Sequence, residues 1–208
     1  ADNNTAVGYH ALQVNTTGYN NTAVGANALD AITTGIRCAA FGMDALTANT
    51  GDRNTGLGWQ AGGATTSATM CTFVGSNCAS QNTTGNYNTA VGDTALGTNT
   101  TGASNTAVGK SALAASTTAS NNTAVGYNAL LSNTTGASNT SVGMASLDAN
   151  TTGAYNCAFG YAALSAATTA NNNNAFGDQA LLVNTTGAEN SAFGRYALTT
   201  CTTGHNNN

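Results

Sequence analysis

The sequence predicts an all-β protein, a parallel β-solenoid of about twelve 17-residue coils with two short strands in each coil. Three observations predict it. A glycine recurs at a near-constant interval, large apolar residues keep fixed positions relative to that glycine, and turn-forming residues separate the apolar positions. The pattern extends from one end of the chain to the other with one irregular region, so we expect a single repeat domain over residues 1–208.

The period is set by a glycine that follows a large apolar residue, which we call the coil glycine. Successive coil glycines are seventeen residues apart, except for one interval of sixteen between Gly42 and Gly58. They are Gly8, Gly25, Gly42, Gly58, Gly75, Gly92, Gly109, Gly126, Gly143, Gly160, Gly177 and Gly194. Because each repeat is too small to bury a core alone, the coils are expected to stack directly on each other.

Two columns of large apolar residues are predicted to face the core. The residue directly before each coil glycine is Val, Phe or Leu in all twelve coils, and we call this the valine column. The fourth residue after the coil glycine is Leu in ten coils, and we call this the leucine column. The predicted core ladder includes Val7, Val24, Phe41, Val91, Val108, Val125, Leu12, Leu29, Leu113 and Leu130. Continuous columns of large apolar side chains are expected to be buried away from water.

Two short apolar stretches per coil, one at each of these columns, predict two strands. Each stretch is followed by glycine or by the turn sequence Asn-Thr-Thr-Gly. Both stretches are too short for helices, and helical repeats need about thirty or more residues per unit. At about 4.8 Å per coil, the segment would form a rod on the order of 55 to 60 Å long.

Two polar columns predict stacked ladders. The eighth residue after the coil glycine is Thr in all twelve coils, and we call this column the threonine ladder. The fourth residue before the coil glycine is Asn in ten coils, and we call this the asparagine column. The candidate ordered threonine array includes Thr16, Thr33, Thr83, Thr100, Thr117 and Thr134. Such an array raises ice binding as a third functional hypothesis. Against it, the paired threonines are adjacent, as at Thr134 and Thr135, so alternation would point them in opposite directions.

Composition excludes several classes of function. Only 6% of residues are charged and the net charge is -4, so there is no basic patch for nucleic acid. No apolar run approaches the roughly 20 residues of a membrane span, and no membrane insertion is expected. Apart from Asp2, the charges avoid the apolar and ladder columns, as a core with solvated corners requires.

Strand alternation predicts self-association. In NTAVG the Ala and the Val point to opposite faces, and both faces are apolar. A second apolar face is expected to be buried against copies of the same chain, and we expect a homotrimer. Both ends lie within the pattern, so the segment is expected to belong to a longer fibre or to polymerise end to end.

The repeat N-T-A-[VF]-G-x-x-A-L-x-x-N-T-T-G resembles the shaft repeats of phage tail fibres, and its NTAVG segment is similar in rhythm to the head repeats of trimeric autotransporter adhesins. The resemblance covers essentially the whole chain. It implies a trimeric, left-handed β-roll used for attachment at a cell surface or virion. The expected function is therefore a structural fibre or filament segment in an extracellular location, with a self-assembling filament subunit as the alternative.

Catalysis is not expected, nor is a cofactor. His10 and His205 lie in the first and last coils, which excludes a His-centred triad or a two-His metal site within one chain. Asp30 and Asp148 share a column but stand seven coils apart, beyond the carboxylate spacing of glycosidases. Of the five cysteines, Cys38 and Cys71 share a column but stand two coils apart, about 9.6 Å, beyond the usual disulfide span. Cys71 and Cys78 flank one turn and could pair, and the alternative is that the cysteines are small buried substitutes for Asn, Ala or Thr.

Positions that vary between coils are the candidates for recognition. Directly after the coil glycine stand Tyr9, Trp59, Tyr127 and Tyr161, whose rings could stack on the sugars of a cell-surface glycan. The alternative is that these aromatic residues only cover corners. The stretch from Gly51 to Cys78 is the one irregular region, and irregularities of this kind often mark binding or bending.

Overall fold

The computed structural model describes the whole chain, Ala1 to Asn208. Its regular elements are twelve three-residue strands, and it has no helix that could cross a membrane. The strands are β1 Thr5–Val7, β2 Thr22–Val24, β3 Ala39–Phe41, β4 Thr55–Leu57, β5 Thr72–Val74, β6 Thr89–Val91, β7 Thr106–Val108, β8 Thr123–Val125, β9 Thr140–Val142, β10 Cys157–Phe159, β11 Asn174–Phe176 and β12 Ser191–Phe193. The predicted all-β parallel solenoid is confirmed, and coils are numbered below by their strands.

All strands form one parallel sheet in the order β1 to β12. Each strand pairs with the next at the equivalent residue, as Ala107 pairs with Ala124. The sixteen-residue interval keeps this register, because Phe41 of β3 still pairs with Leu57 of β4. The deletion lies outside the sheet, in the turn where other coils have Asn-Thr-Thr-Gly and this coil has Asn49-Thr50-Gly51. A single deletion is therefore absorbed in a turn, and the stack continues through it.

Each coil contains one strand, so the prediction of two strands per coil is wrong. The stretch that carries the leucine column is a turn in which two residues have left-handed φ angles, such as Ser111 at 57° and Leu113 at 53°. Strands need φ near −120°, and a left-handed residue costs about 1–2 kcal/mol, which burial of the leucine offsets. Successive coils are still hydrogen-bonded at this turn, since the Leu113 N–H donates to the Ala129 carbonyl of the next coil at 3.0 Å.

The coil glycine is required by both conformation and space. Gly126 has a φ of 139°, a region that residues with side chains rarely adopt. A β-carbon on Gly126 would also lie 2.5 Å from the carbonyl oxygen of Gly143 in the next coil. Glycines therefore stack directly on glycines, which explains why the residue occurs in all twelve coils.

The core is narrow and is built from small residues facing leucines. The middle residue of each strand, which we call the alanine column, points inward and is fully buried in Ala23, Ala107 and Ala124. The leucine column is buried opposite it. Of the predicted core leucines, Leu29, Leu113 and Leu130 are completely buried, while Leu12 in the first coil is partly buried against the core. The leucine half of the predicted core ladder is confirmed.

The valine half of that prediction is wrong, because the valine column lies on the outside of the sheet. Val7, Phe41 and Val91 are 57%, 41% and 36% exposed. The other predicted members are half-buried, and these are Val24, Val108 and Val125. Strand alternation places the alanine column inside, and the enclosed space leaves no room for a second column of large residues.

The irregular region is a repacked part of the core rather than a bend. Phe73 replaces an alanine of the alanine column and is fully buried. Gly62 in coil 4 and Ala79 in coil 5 stand where the leucine column has leucine elsewhere. A β-carbon on Gly62 would lie 2.5 Å from the Phe73 ring and 2.8 Å from Leu46. One phenylalanine therefore fills the volume of missing leucine side chains, and Gly56 still pairs with Phe73 in the sheet.

We predict that Phe73→Ala, although it restores the alanine found in most coils, lowers the free energy of unfolding by about 3–5 kcal/mol because it opens a cavity. Adding Gly62→Leu should recover part of this loss. Urea denaturation measures both effects. The control is Phe176→Ala on the outer side of β11, which should cost clearly less. An unchanged or increased stability of Phe73→Ala would contradict the repacking.

Candidate functional site

The outer face of the sheet is the most extensive surface feature of the protein. It consists of the valine column and of the first residue of each strand, which we call the outer threonine column, and one inward alanine separates them. The outer threonine column comprises Thr5, Thr22, Ala39, Thr55, Thr72, Thr89, Thr106, Thr123, Thr140, Cys157, Asn174 and Ser191. Eleven steps between strands make this outer face about 53 Å long.

The outer face is uncharged, and it combines an apolar row, the valine column, with a row made mostly of threonine. Phe41, Leu57, Val91 and Phe159 are between 36% and 47% exposed, and neither column contains Asp, Glu, Lys or Arg. A continuous row of partly exposed large apolar residues along the whole length of a protein is a feature that often marks an interaction surface. Such a surface is typical of an interface.

The four aromatic residues singled out for recognition border the outer face. They lie in the corner column, the residues directly after the coil glycines, and Tyr9, Trp59, Tyr127 and Tyr161 are 70%, 44%, 51% and 49% exposed. They come from coils 1, 4, 8 and 10, so the structure aligns them along the rod and does not gather them into one pocket.

The charges of the corner column are paired between successive coils. Lys110 lies 3.9 Å from Asp93, and Arg195 lies 3.1 Å from Asp178. The Arg195 guanidinium also stacks 4.5 Å from the Tyr196 ring centre. Exposed pairs of this kind contribute little to stability because water screens them. They leave the edge of the outer face without an excess of either sign.

The threonine ladder is ordered and its hydroxyls are used within the fold. The Oγ1 of Thr83 donates to the Thr100 carbonyl at 2.8 Å, and that carbonyl also accepts the Thr83 N–H at 2.9 Å. The same hydroxyl bond is made by four other members of the predicted array, Thr16, Thr100, Thr117 and Thr134. Thr33 accepts the bond from Thr16. These hydroxyls bind neighbouring coils and not an external surface.

The asparagine column forms a buried amide ladder, as the sequence predicted. Asn122 Oδ1 accepts the Asn139 N–H at 2.9 Å, and Asn122 Nδ2 donates to the Gly136 carbonyl at 2.9 Å. A buried amide that satisfies the backbone of the next coil avoids the penalty of an unpaired polar group, about 1–3 kcal/mol. Cys38 and Cys71 occupy the two places in this column that lack asparagine.

A second column of buried asparagines lies seven residues after the coil glycine. Asn150 Nδ2 donates to Asn133 Oδ1 at 2.8 Å, but Asn150 Oδ1 has no partner because the next coil has Ala167 at that position. The Oδ1 atoms of Asn99 and Asn184 also have no partner, because the next coils have Ser116 and Cys201 at the equivalent position. The ladder is interrupted wherever the next coil lacks an amide.

Six of the seven asparagines in this column have a glycine three residues later, and Asn49, in the coil with the deletion, has Gly51 two residues later. A β-carbon on Gly136 would lie 2.5 Å from Asn133 Oδ1 and closer still to the Gly153 carbonyl oxygen of the next coil. One on Gly102 would lie 2.5 Å from Asn99 Oδ1 and closer still to the Ala119 carbonyl oxygen. The three coils that carry alanine instead of this glycine have no asparagine in the second column. In these coils the residue of the second column and the alanine three positions later are Thr65 and Ala68, Ser116 and Ala119, and Ala167 and Ala170. The exchange is therefore a steric pairing within one turn.

We predict that Ala167→Asn alone destabilises the protein by roughly 1–3 kcal/mol, because the new amide meets the Ala170 β-carbon. Combined with Ala170→Gly, it should become neutral or stabilising, since it gives Asn150 Oδ1 a donor. A double-mutant cycle measured by urea denaturation tests this. Additive effects of the two changes would contradict the steric pairing.

The residues considered for catalysis are dispersed, and their side chains make local contacts. Asp30 accepts a hydrogen bond from Thr47 at 2.7 Å, and Asp148 accepts one from Ser165 at 2.6 Å. No group of three or more His, Cys, Asp or Glu side chains is placed to hold a metal ion.

All five cysteines are free thiols, including Cys71 and Cys78, which the sequence placed on either side of one turn. Cys71 Sγ donates to the Gly85 carbonyl at 3.3 Å, and Cys78 Sγ donates to the Ala90 carbonyl at 3.1 Å. Burial raises the pKa of Cys78 to about 12, and it also raises the pKa values of Cys38 and Cys71. These thiols act as small core residues.

The Cys78 thiol should make stability depend on alkaline pH. In the unfolded chain it ionises near its ordinary pKa of 9.0, whereas the folded protein holds the proton up to about 12. The unfolded state therefore binds fewer protons above pH 9, and this group lowers the unfolding free energy by about 1.4 kcal/mol per pH unit until pH 12. Urea denaturation of the native chain and of Cys78→Ala measures it. The two should show the same pH dependence below pH 9 and diverge above it, and parallel curves throughout would refute the assignment.

Two shallow depressions lie on another side of the coil. They have volumes of about 210 and 270 Å³ and surround Gly97 and Gly63, each the fifth residue after its coil glycine. Most of the residues that line them are polar, among them Gln60 and Asn77, but these residues present mainly their apolar atoms. Both are smaller than the range of about 300–1,000 Å³ usual for ligand pockets. The outer face is therefore the stronger candidate site.

Comparison with protein-family models, with curated proteins and with solved structures finds no match for this chain.

Proposed function

We propose that this chain is a structural, non-enzymatic fibre segment of an extracellular or virion surface attachment protein, and that it associates with copies of itself through the outer face. One observation carries the proposal. Twelve strands stack in one uninterrupted register, and the same stack presents a continuous apolar and uncharged outer face. Such a molecule is suited to spanning a distance and to bundling with its own copies.

Stiffness is the property that a fibre segment needs. Each coil bonds to the next at the strand, at the leucine column and at the threonine ladder, for example through Thr106 to Asn122, Leu113 to Ala129 and Thr117 to Thr134. Bending the rod would stretch bonds on one of these sides. The repacking around Phe73 keeps the sheet continuous, so the irregular region adds no hinge.

Association of three copies remains our proposal for the assembly, with end-to-end polymerisation as the alternative. The support is the apolar outer face, since closed cyclic assembly is the common way to bury such a surface. Weak contacts to a glycan are proposed for Tyr9, Trp59, Tyr127 and Tyr161, which remain exposed along the border of that face.

Ice binding is a second candidate that one observation favours. The outward side chains of Thr72, Thr89, Thr106 and Thr123 alternate with valines, separated by one inward residue. Their hydroxyls are not used between coils, in contrast to those of the threonine ladder. A flat array of this kind could order water only if the outer face stays free, so assembly and ice binding exclude each other.

We predict that the chain is a trimer by analytical ultracentrifugation and that Val108→Asp with Val125→Asp weakens association at least about 100-fold, because the carboxylates would be buried without partners. The control is Thr118→Asp with Thr135→Asp, which adds the same charge at exposed positions outside the outer face. Circular dichroism should stay unchanged in both variants. Open-ended polymers would favour the filament, and a monomer with thermal hysteresis would favour ice binding.

A further inference from the structure

The two columns of the outer face vary together in all twelve coils. Where the outer threonine column has Thr, the valine column has Val or Leu, and this holds in eight coils. Where the valine column has Phe, the outer threonine column has another residue. These four pairs are Ala39 with Phe41, Cys157 with Phe159, Asn174 with Phe176, and Ser191 with Phe193. In all four the threonine is replaced by a residue without a branched β-carbon, and in three of them, Ala39, Cys157 and Ser191, by a smaller one.

Within one chain the phenylalanine rings contact each other from coil to coil. The rings of Phe159 and Phe176 stack 5.0 Å apart and those of Phe176 and Phe193 stack 5.1 Å apart, with interplanar angles of 7° and 4°. The rings are therefore stacked one above the other along the rod axis, with their planes nearly parallel to each other. Phe41 and Phe159 are still 41% and 36% exposed, so their own strands leave much of each ring uncovered.

We propose that copies of this chain associate as parallel rods in the same register, with the valine column of one copy against the outer threonine column of its neighbour. This inference rests on the proposed self-association and specifies its geometry. The two columns lie at equal distances on either side of the alanine column. In a ring of three parallel rods whose outer faces point to a common axis, the valine column of each copy therefore lies against the outer threonine column of the next copy at the level of the same coil.

Size complementarity then acts across the interface. Phe41 packs on Ala39 of the neighbouring copy, whereas valines pack on threonines elsewhere. In antiparallel rods like columns would face each other, and phenylalanine would gain no matching small residue. A shift by one coil would bring Phe41 against Thr22 or Thr55. The phenylalanine coils, 3 and 10 to 12, thus determine both direction and register.

The area and the charge of the outer face fit this partner. A strip about 53 Å long and about 10 Å wide on each copy buries roughly 1,600 Å² in a ring of three, shared among three contacts between neighbours. Neither column contains a charged side chain, so association desolvates no charge.

The test is complementation between two single variants. Ala39→Thr should weaken self-association about tenfold or more, because threonine meets Phe41 of the neighbour, and Phe41→Val should weaken it by leaving a gap. A mixture of the two should associate more tightly than either alone, since valine then meets threonine across the interface. Analytical ultracentrifugation and energy transfer between labelled chains measure this, and urea denaturation at low concentration should find little change in the monomers.

The second pair of variants applies the same exchange in the opposite direction, with Thr123→Ala mixed with Val125→Phe. Restored affinity in both mixtures supports the inference. If the native chain associates but the mixtures show no gain, or the changes destabilise only the monomer, parallel pairing is refuted while self-association stands. If the native chain is monomeric at every concentration, the proposed self-association fails first.

Discussion

Backbone hydrogen bonding between equivalent residues of successive coils is the constraint on which the rest of this structure depends. Because Ala107 pairs with Ala124 and Leu113 bonds to the coil of Leu130, each residue lies on its own counterpart. A change in one coil therefore has to fit the coils above and below it. Two exchanges follow this rule inside the protein, the replacement of leucine volume by Phe73 and the pairing of buried asparagines with glycine.

The narrow interior determines where the large side chains go. A coil of seventeen residues encloses one leucine and a few alanines, and Leu113 and Ala107 already fill that space without exposure. Valine and phenylalanine of the same strand therefore face outward. The fold thus produces its own apolar surface as a consequence of its small cross-section, and the proposed assembly follows from that surface and not from any pocket.

The polar residues separate into those that hold the stack and those that remain available. Buried amides such as Asn122 and hydroxyls such as Thr83 are used between coils. The outer threonine column and the aromatic residues of the corner column have no such role, and they lie on or beside the outer face. A repeat protein can therefore change its outward columns while the inward ones stay constant, and this is where its specificity can evolve.

The sequence by itself determined the coil length, the parallel stacking, the buried leucine column and the two polar ladders, because each depends only on the period and on chemistry repeated at one position. It could not decide which side of NTAVG faces inward, since alternation leaves both sides apolar and only the enclosed space selects Ala107 over Val108. Nor could it show that the stretch around Leu113 is a left-handed turn and not a strand. The pairing of Asn133 with Gly136 was readable in the sequence, but its cause is a 2.5 Å approach that only the folded chain creates.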